Sequence, residues 1–180
     1  GVGVDLSPEM LRVVRGKAKQ ENLDVKTVQA NLVELDALAD GSADYCICMF
    51  STLGMIQGRD NRLRALAHVR RVLKPDGQFV LHVHNLWNLA SNPAGRAWLW
   101  KVWRQSWRQK RELGDMVADY RGVPRMMLHF FSARELRRDL QQAGFHIKEW
   151  IPLDPLLTKP LANPGFLSSF RAIGWIVVCD

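Results

Sequence analysis

Asp5 is the first charged residue of the chain and follows Val2-Gly3-Val4, an apolar run that reads as the end of a β-strand. Ser7-Pro8-Glu9 then opens a helix, because Ser7 can cap the free amides of a first turn and Pro8 suits a position that needs no amide hydrogen. Asp5 is thereby expected at the carboxyl end of a strand, where open α/β sheets bind their ligands. A carboxylate there can accept both hydroxyls of a ribose at once; an ordinary turn aspartate is the alternative. Other strand ends carry polar groups too. Asn31 follows the short strand at residues 25 to 30, Ser51-Thr52 follow the apolar run from Tyr45 to Phe50, and His84-Asn85 follow the β-rich run from Phe79 to Val83. An unperturbed imidazole titrates near pH 6.5, so His84 could act as a general base. The alternative is a histidine hydrogen-bonded at a strand end. His82 shares its face, lies deeper in the strand and reads as structural.

A second group of residues stands apart. Four of the seven tryptophans fall in a helix of about residues 93 to 113, opened by Asn92-Pro93 and stopped by Gly114. Trp100, Trp103 and Trp107 recur at i, i+3 and i+7 on one face, with Arg104, Arg108 and Arg111 on an adjoining face. Three roles suit this composition: a lid or core face over a substrate pocket, an RNA contact through phosphate pairing and base stacking, or an interfacial helix on an anionic membrane surface.

Elements able to hold such residues follow in order. Leu11, Val14 and Ala18 mark the buried face of the first helix, and Leu66, Val69 and Leu73 that of a helix from about Asp60 to Leu73. Lys74-Pro75-Asp76-Gly77 is read as a turn. Residues 115 to 131 give no clear pattern, with Gly122 and Pro124 as breakers. Ser132 to Glu135 is a capping box, and the helix it starts stops at Gly144. A strand is expected from Phe145 to Ile151, a loop holding four prolines from 152 to 170, and a last strand from Trp175 to Cys179. The run Tyr45 to Phe50 fits a strand covered on both faces. Strands alternating with helices argue for βαβ units and a parallel sheet.

At 180 residues the chain is expected to form one domain; 47% hydrophobic and 24% charged residues fit a globular protein. No apolar run is long enough to span a bilayer and no leader is evident, so a cytoplasmic protein is expected. Three cysteines do not make a disulfide framework. Cys46 and Cys48, two apart in a strand, should share one side of a sheet as small buried hydrophobes. The net charge of +7 hints at an anionic partner. The chain opens on Gly1 within a strand and reads as a fragment cut at its amino end.

In this order the residues resemble a class I S-adenosylmethionine-dependent methyltransferase. Gly3-Val4-Asp5-Leu6-Ser7-Pro8-Glu9-Met10-Leu11 resembles that family's second strand with its ribose-binding acid. Gly41-Ser42-Ala43-Asp44-Tyr45 resembles the turn into its fourth strand, and Leu73-Lys74-Pro75-Asp76-Gly77 the turn into its fifth. Phe131-Ser132 through Gly144-Phe145 resembles the last helix and sixth strand, and Gly174 to Cys179 the seventh.

The resemblance implies a doubly wound, mostly parallel α/β sheet of Rossmann-like type with an antiparallel last strand. It also implies a single domain over 1–180 that lacks the family's first strand and glycine-rich loop, with residues 86–128 as a helical insertion or lid. S-adenosylmethionine would be the cofactor. Asp5 would hold its ribose, Leu6 and Met10 would pack near the adenine, and Asn31 and Leu32 would line the adenine pocket. Asn31 stands where the family often has Asp, and its side-chain carbonyl could meet the adenine amine. Phe50, Ser51 and Thr52 would face the cofactor and the methyl acceptor, with His84 as candidate base. Asn85, Trp100, Trp103, Trp107 and Arg104 would face the substrate, and no metal is implied. The implied activity is methyl transfer to an unidentified acceptor, most simply a small molecule; the alternative is a methyltransferase-like binding module without turnover. A dinucleotide oxidoreductase is disfavoured because Gly1-Val2-Gly3 does not continue as G-x-G-x-x-G: Leu6 stands at the last position.

Overall fold

The computed structural model of the protein describes residues 1–109, 112–120 and 123–180. β1 (Val2–Asp5) leads into α1 (Pro8–Gln20), where Ser7 caps the helix by accepting a hydrogen bond from Met10 N at 3.2 Å and Pro8 occupies the first turn. β2 (Lys26–Gln29) pairs with β1 in parallel, Val2 opposite Lys26 and Asp5 opposite Gln29. A loop then leads to β3 (Ala43–Cys48), and the Arg71 guanidinium fastens it by donating to the carbonyls of Leu35 and Leu38. α2 (Thr52–Met55), α3 (Arg59–Val72) and β4 (Leu73–His84) follow. After a 3-10 turn over Leu86–Ser91 come α4 (Pro93–Gln109), the strands β5 (Asp115–Tyr120) and β6 (Val123–His129), and α5 (Ala133–Gln142). β7 (Ile147–Pro152), α6 (Ser168–Arg171) and β8 (Gly174–Cys179) complete the chain.

The main sheet is mixed, in the order β3-β4-β8-β7. β3 and β4 are parallel, whereas β8 runs antiparallel to both β4 and β7. Alternate residues of β4 and β8 turn to one core: Phe79, Leu81 and Val83 lie beside Trp175, Val177 and Cys179, under Leu136 and Leu140 of α5. Each of these fully buried leucines stabilises the fold by about 1.5–3 kcal/mol. The capping box on α5 is complete, with Ser132 Oγ accepting from Glu135 N and the Glu135 carboxylate accepting from Ser132 N.

Four expectations change. The single doubly wound sheet is found as separate ladders, for among the described residues β1-β2 is not hydrogen-bonded to β3. β3 is also not covered on both faces: Cys46 and Cys48 turn to the core, while Tyr45 and Ile47 on the other face are 71% and 73% exposed. The helix that could have covered them, α1, packs instead on its own ladder, β1-β2. Finally, the stretch from 115 to 131 is an antiparallel ribbon, with Asp115 opposite His129 and Val117 opposite Met127, so residues 86–128 are helix and ribbon together. The expected Lys74 to Gly77 turn is a break in the β3-β4 register, which passes from Ala43 opposite Leu73 to Tyr45 opposite Gln78.

Candidate functional site

Asp5 and Asn31 stand at the carboxyl ends of neighbouring parallel strands. Asp5 Oδ1 accepts from Ser7 N at 2.8 Å, which fixes the carboxylate at the mouth of α1, and Ala30 N donates to Asp5 O at 3.2 Å. Asp5 Oδ2 has no protein partner among the described residues. Asn31 Oδ1 accepts from Val33 N at 3.1 Å, closing a turn of its own loop, and so its amide nitrogen is the end that points away. Leu6 and Met10 are exposed beside Asp5, and Leu32 packs on the main core.

A second set gathers at the ends of β3 and β4. Phe50 and Ser51 both adopt left-handed backbone, with φ of 58° and 59°. Two consecutive non-glycine residues there store strain, which the surroundings must hold in place. Ser51 is buried; its N–H donates to His82 O at 3.1 Å, and its Oγ accepts from His84 N at 3.4 Å. The strained turn is thus stitched across to β4. Thr52 opens α2, its Oγ1 donating to Met49 O at 2.8 Å. α2 comes so close to β6 that a Cβ on Gly54 would lie 2.6 Å from His129 O, so only glycine fits. His84 is buried against the Phe130 ring at 5.5 Å, with His82 edge-on at 5.2 Å. Burial pushes the His82 imidazole down; it sits neutral in the strand.

Asn85, expected to face the substrate, is committed elsewhere. Its amide donates to Ser169 O and Ala172 O, both at 2.7 Å, and its Oδ1 accepts from Trp87 N at 3.0 Å. Both amide hydrogens are spent holding the segment before β8, and the side-chain oxygen holds the 3-10 turn. The turn in turn presents Trp87. With Arg96, Leu99, Trp100, Trp103 and Leu113 it lines an apolar pocket of about 250 Å³, starting three residues beyond His84. Trp100 and Trp103 stack on each other at 5.3 Å and are otherwise exposed; Arg104 is exposed on the same helix. The side chain of Trp107, like Arg108 and Arg111, lies outside the described residues.

Sequence reasoning missed a buried charge cluster behind this region. His129 of β6 sits between two carboxylates, with Nδ1 2.8 Å from Asp115 Oδ1 and Nε2 2.9 Å from Glu135 Oε1. Burial lowers its basicity, but the two hydrogen bonds outweigh burial and hold its pKa above the ordinary value. Glu135 moves the other way: burial raises it, and the contact with His129 brings it below the usual carboxylate range. Arg62 of α3, fully buried, pairs with Glu112 and lies 3.8 Å from Glu135. Arg59 joins Glu112 and Asp139. Glu112, His129 and Glu135 offer ligand atoms within 4.8 Å of one another, the spacing of a metal centre. The Arg62 guanidinium already supplies the positive charge there, and both imidazole nitrogens are engaged. The cluster acts as a clasp, tying the end of α4 and the β5-β6 ribbon to α3 and α5. Arg59 and Arg62 lie 53 and 50 residues before Glu112, so no local spacing could have revealed their part in it.

Residues 1–81 match a family model described as a methyltransferase domain. The ubiquinone/menaquinone biosynthesis C-methyltransferase UbiE of Bdellovibrio bacteriovorus is 34% identical over 79 residues, which is 44% of this chain and 32% of that protein. The chain therefore spans about a third of the curated relative it matches. In fold, an S-adenosylmethionine-dependent methyltransferase from Methanosarcina mazei matches with a TM-score of 0.75 at 19% identity, over 99% of this chain and 80% of the other. The 1,6-didemethyltoxoflavin-N1-methyltransferase of Burkholderia thailandensis, solved with its substrate and S-adenosylhomocysteine, matches with a TM-score of 0.57 at 17% identity, over 99% of this chain and 59% of the other. Amino-terminal sequence and whole-chain fold point the same way: residues 1–81 are similar to a methyltransferase domain, and the chain has the fold of S-adenosylmethionine-dependent methyltransferases.

Proposed function

We propose that the protein transfers a methyl group from S-adenosylmethionine to a small, largely apolar acceptor. The observation that carries the reading is the pairing of a pre-set Asp5 carboxylate at a strand end with the aromatic pocket that begins three residues past His84. Asp5 Oδ1 is occupied by Ser7 N, which orients Oδ2 outward to accept from the cofactor's ribose. Asn31 uses its carbonyl on Val33 N, so its amide nitrogen would donate to a ring nitrogen of the adenine, in place of the amine contact the sequence suggested. Leu6 and Met10 offer apolar cover to the same base. When bound, the cofactor supplies a methyl group on a sulfonium, activated toward in-line displacement. Positioning then supplies much of the rate: the strained Phe50-Ser51 turn fixes the wall between donor and acceptor, and Trp87, Trp100 and Trp103 orient the acceptor. His84 would take the proton from an acceptor that must lose one. The matches are to methyltransferases, so the module without turnover is not carried further.

Support for a longer domain comes from the two open sheet edges. β1 and β3 each leave one edge unpaired among the described residues, and Tyr45 and Ile47 stand uncovered beside them. A further parallel strand between β1 and β3, with a helix after it, would join the ladders and cover that face; such a strand is where a phosphate- or cofactor-cradling loop belongs in this architecture.

The test is calorimetric titration of S-adenosylhomocysteine into the protein and its Asp5→Ala variant. Loss of charge-assisted hydrogen bonds, about 1.5–3 kcal/mol each, should weaken binding at least about tenfold. Equal affinity in the two proteins would remove Asp5 from the site.

A further inference from the structure

We propose that the face built by α4 and the loop around α6 docks on an anionic lipid surface. The proposal goes beyond methyl transfer and does not depend on it. The two segments meet through Trp87: it shares the pocket with Trp100 and Trp103, and its ring lies 6.4 Å from that of Phe170. Trp100 is 61% and Phe166 66% exposed, and Leu167 and Phe170 are exposed with them. A soluble monomer rarely gathers so much aromatic surface without a partner.

Charge selects the partner. Between Asp76 and Glu112 the sequence has no acidic residue, and between Asp154 and Asp180 again none. Within those same stretches lie Arg96, Lys101, Arg104 and Arg171. Aromatic rings at headgroup depth with cations beside them are the composition of an interfacial anchor.

The apolar tips are also held out by construction. Arg171 donates to the carbonyls of Ala162 at 3.0 Å, Asn163 at 3.2 Å and Phe166 at 2.9 Å, so one guanidinium shapes the loop that displays Phe166. Its cation lies 5.9 Å from the Phe166 ring. Earlier in the same loop the Asp154 carboxylate accepts from Thr158 N at 2.9 Å and from Lys159 N at 3.3 Å, which closes a turn bearing Leu156, 77% exposed. Hydrogen bonds spent to present leucine and phenylalanine outward favour insertion into an acyl boundary. Base stacking on RNA would use the aromatic rings but gains nothing from Leu156 or Leu167.

Sedimentation with vesicles of phosphatidylcholine, with and without phosphatidylglycerol, tests this. The protein should bind the anionic vesicles at least about tenfold better than the neutral ones, with a blue shift of tryptophan fluorescence. Phe166→Ser should weaken that binding about tenfold, and so should the charge reversal Lys101→Glu/Arg104→Glu, each with an unchanged circular dichroism spectrum. Failure to bind anionic vesicles overturns the proposal, as does binding that both variants retain. Salt-sensitive binding of a single-stranded RNA oligonucleotide by a protein that ignores the vesicles would assign the face to RNA instead. None of these outcomes touches S-adenosylhomocysteine affinity, which tests the methyltransferase reading separately.

Discussion

At the scale of single residues, His84 and His129 show how placement divides one side-chain type into two uses. His84 ends a strand beside the Ser51 turn, three residues before Trp87 of the aromatic pocket, while His129 is held between two carboxylates. Replacing His84 with Asn should lower kcat at least about tenfold, leaving S-adenosylhomocysteine affinity within about twofold. Unaltered turnover would make His84 structural. For His129 the consequence is stability against pH. Its folded pKa is raised, so its contribution is fully present below about pH 6.5 and is lost as pH rises through the higher folded value. Glu135 has a lowered folded pKa, so its contribution is present above about pH 4.5 and is lost as pH falls through the lower value. Denaturant midpoints at mildly acidic and alkaline pH should therefore show the protein losing stability on the alkaline side, and a His129→Gln variant losing less. Parallel pH profiles for the two proteins would count against a charged His129.

At the scale of elements, the clasp explains why a tryptophan-rich helix and a two-stranded ribbon stay on the fold. α4 and β5-β6 join the main core sparingly, and from α3 the Arg62 ion pair and the Arg59 backbone N–H both reach Glu112, which lies between α4 and β5. Substituting Arg62 with Met leaves Glu112 without its ion-pair partner and Glu135 with His129 alone. That should cost about 3–5 kcal/mol and lower Tm by about 10 °C, read by calorimetry, with the pocket at Trp87 lost before the main sheet. Much of the element order was legible in the chain: Ser7-Pro8, the Ser132–Glu135 box and the apolar runs at 79–83 and 175–179 each carry their structure in a few adjacent residues. The ribbon was not, because Met126-Met127-Leu128 breaks the alternation that marks a strand. Asn85 reads as a site residue by position alone, yet its three partners lie on Trp87, Ser169 and Ala172; only folding brings the latter two near it.

At the scale of the whole molecule, two ladders carry polar residues at their carboxyl ends, Asp5 and Asn31 on β1-β2 and Ser51 and His84 on β3-β4, which under the proposed function are two halves of one site. The first was readable from strand-end polarity, the separation between them was not, since strand neighbours are set by the sheet and not by sequence order. Burial in the main sheet also silences the thiols: desolvation carries Cys48 up to about 11 and Cys179 to about 12, so at neutral pH neither is a nucleophile. β8 imposes a different kind of constraint. It follows β7 in the chain yet lies between β7 and β4, pairing with both, and contributes Trp175, Val177 and Cys179 to the core. A ribosome making this protein must therefore translate past residue 179 before the sheet can close. Until then β4 and β7 each wait with an edge of unpaired N–H and C=O groups, and a chain halted before β8 would need a chaperone or a protease.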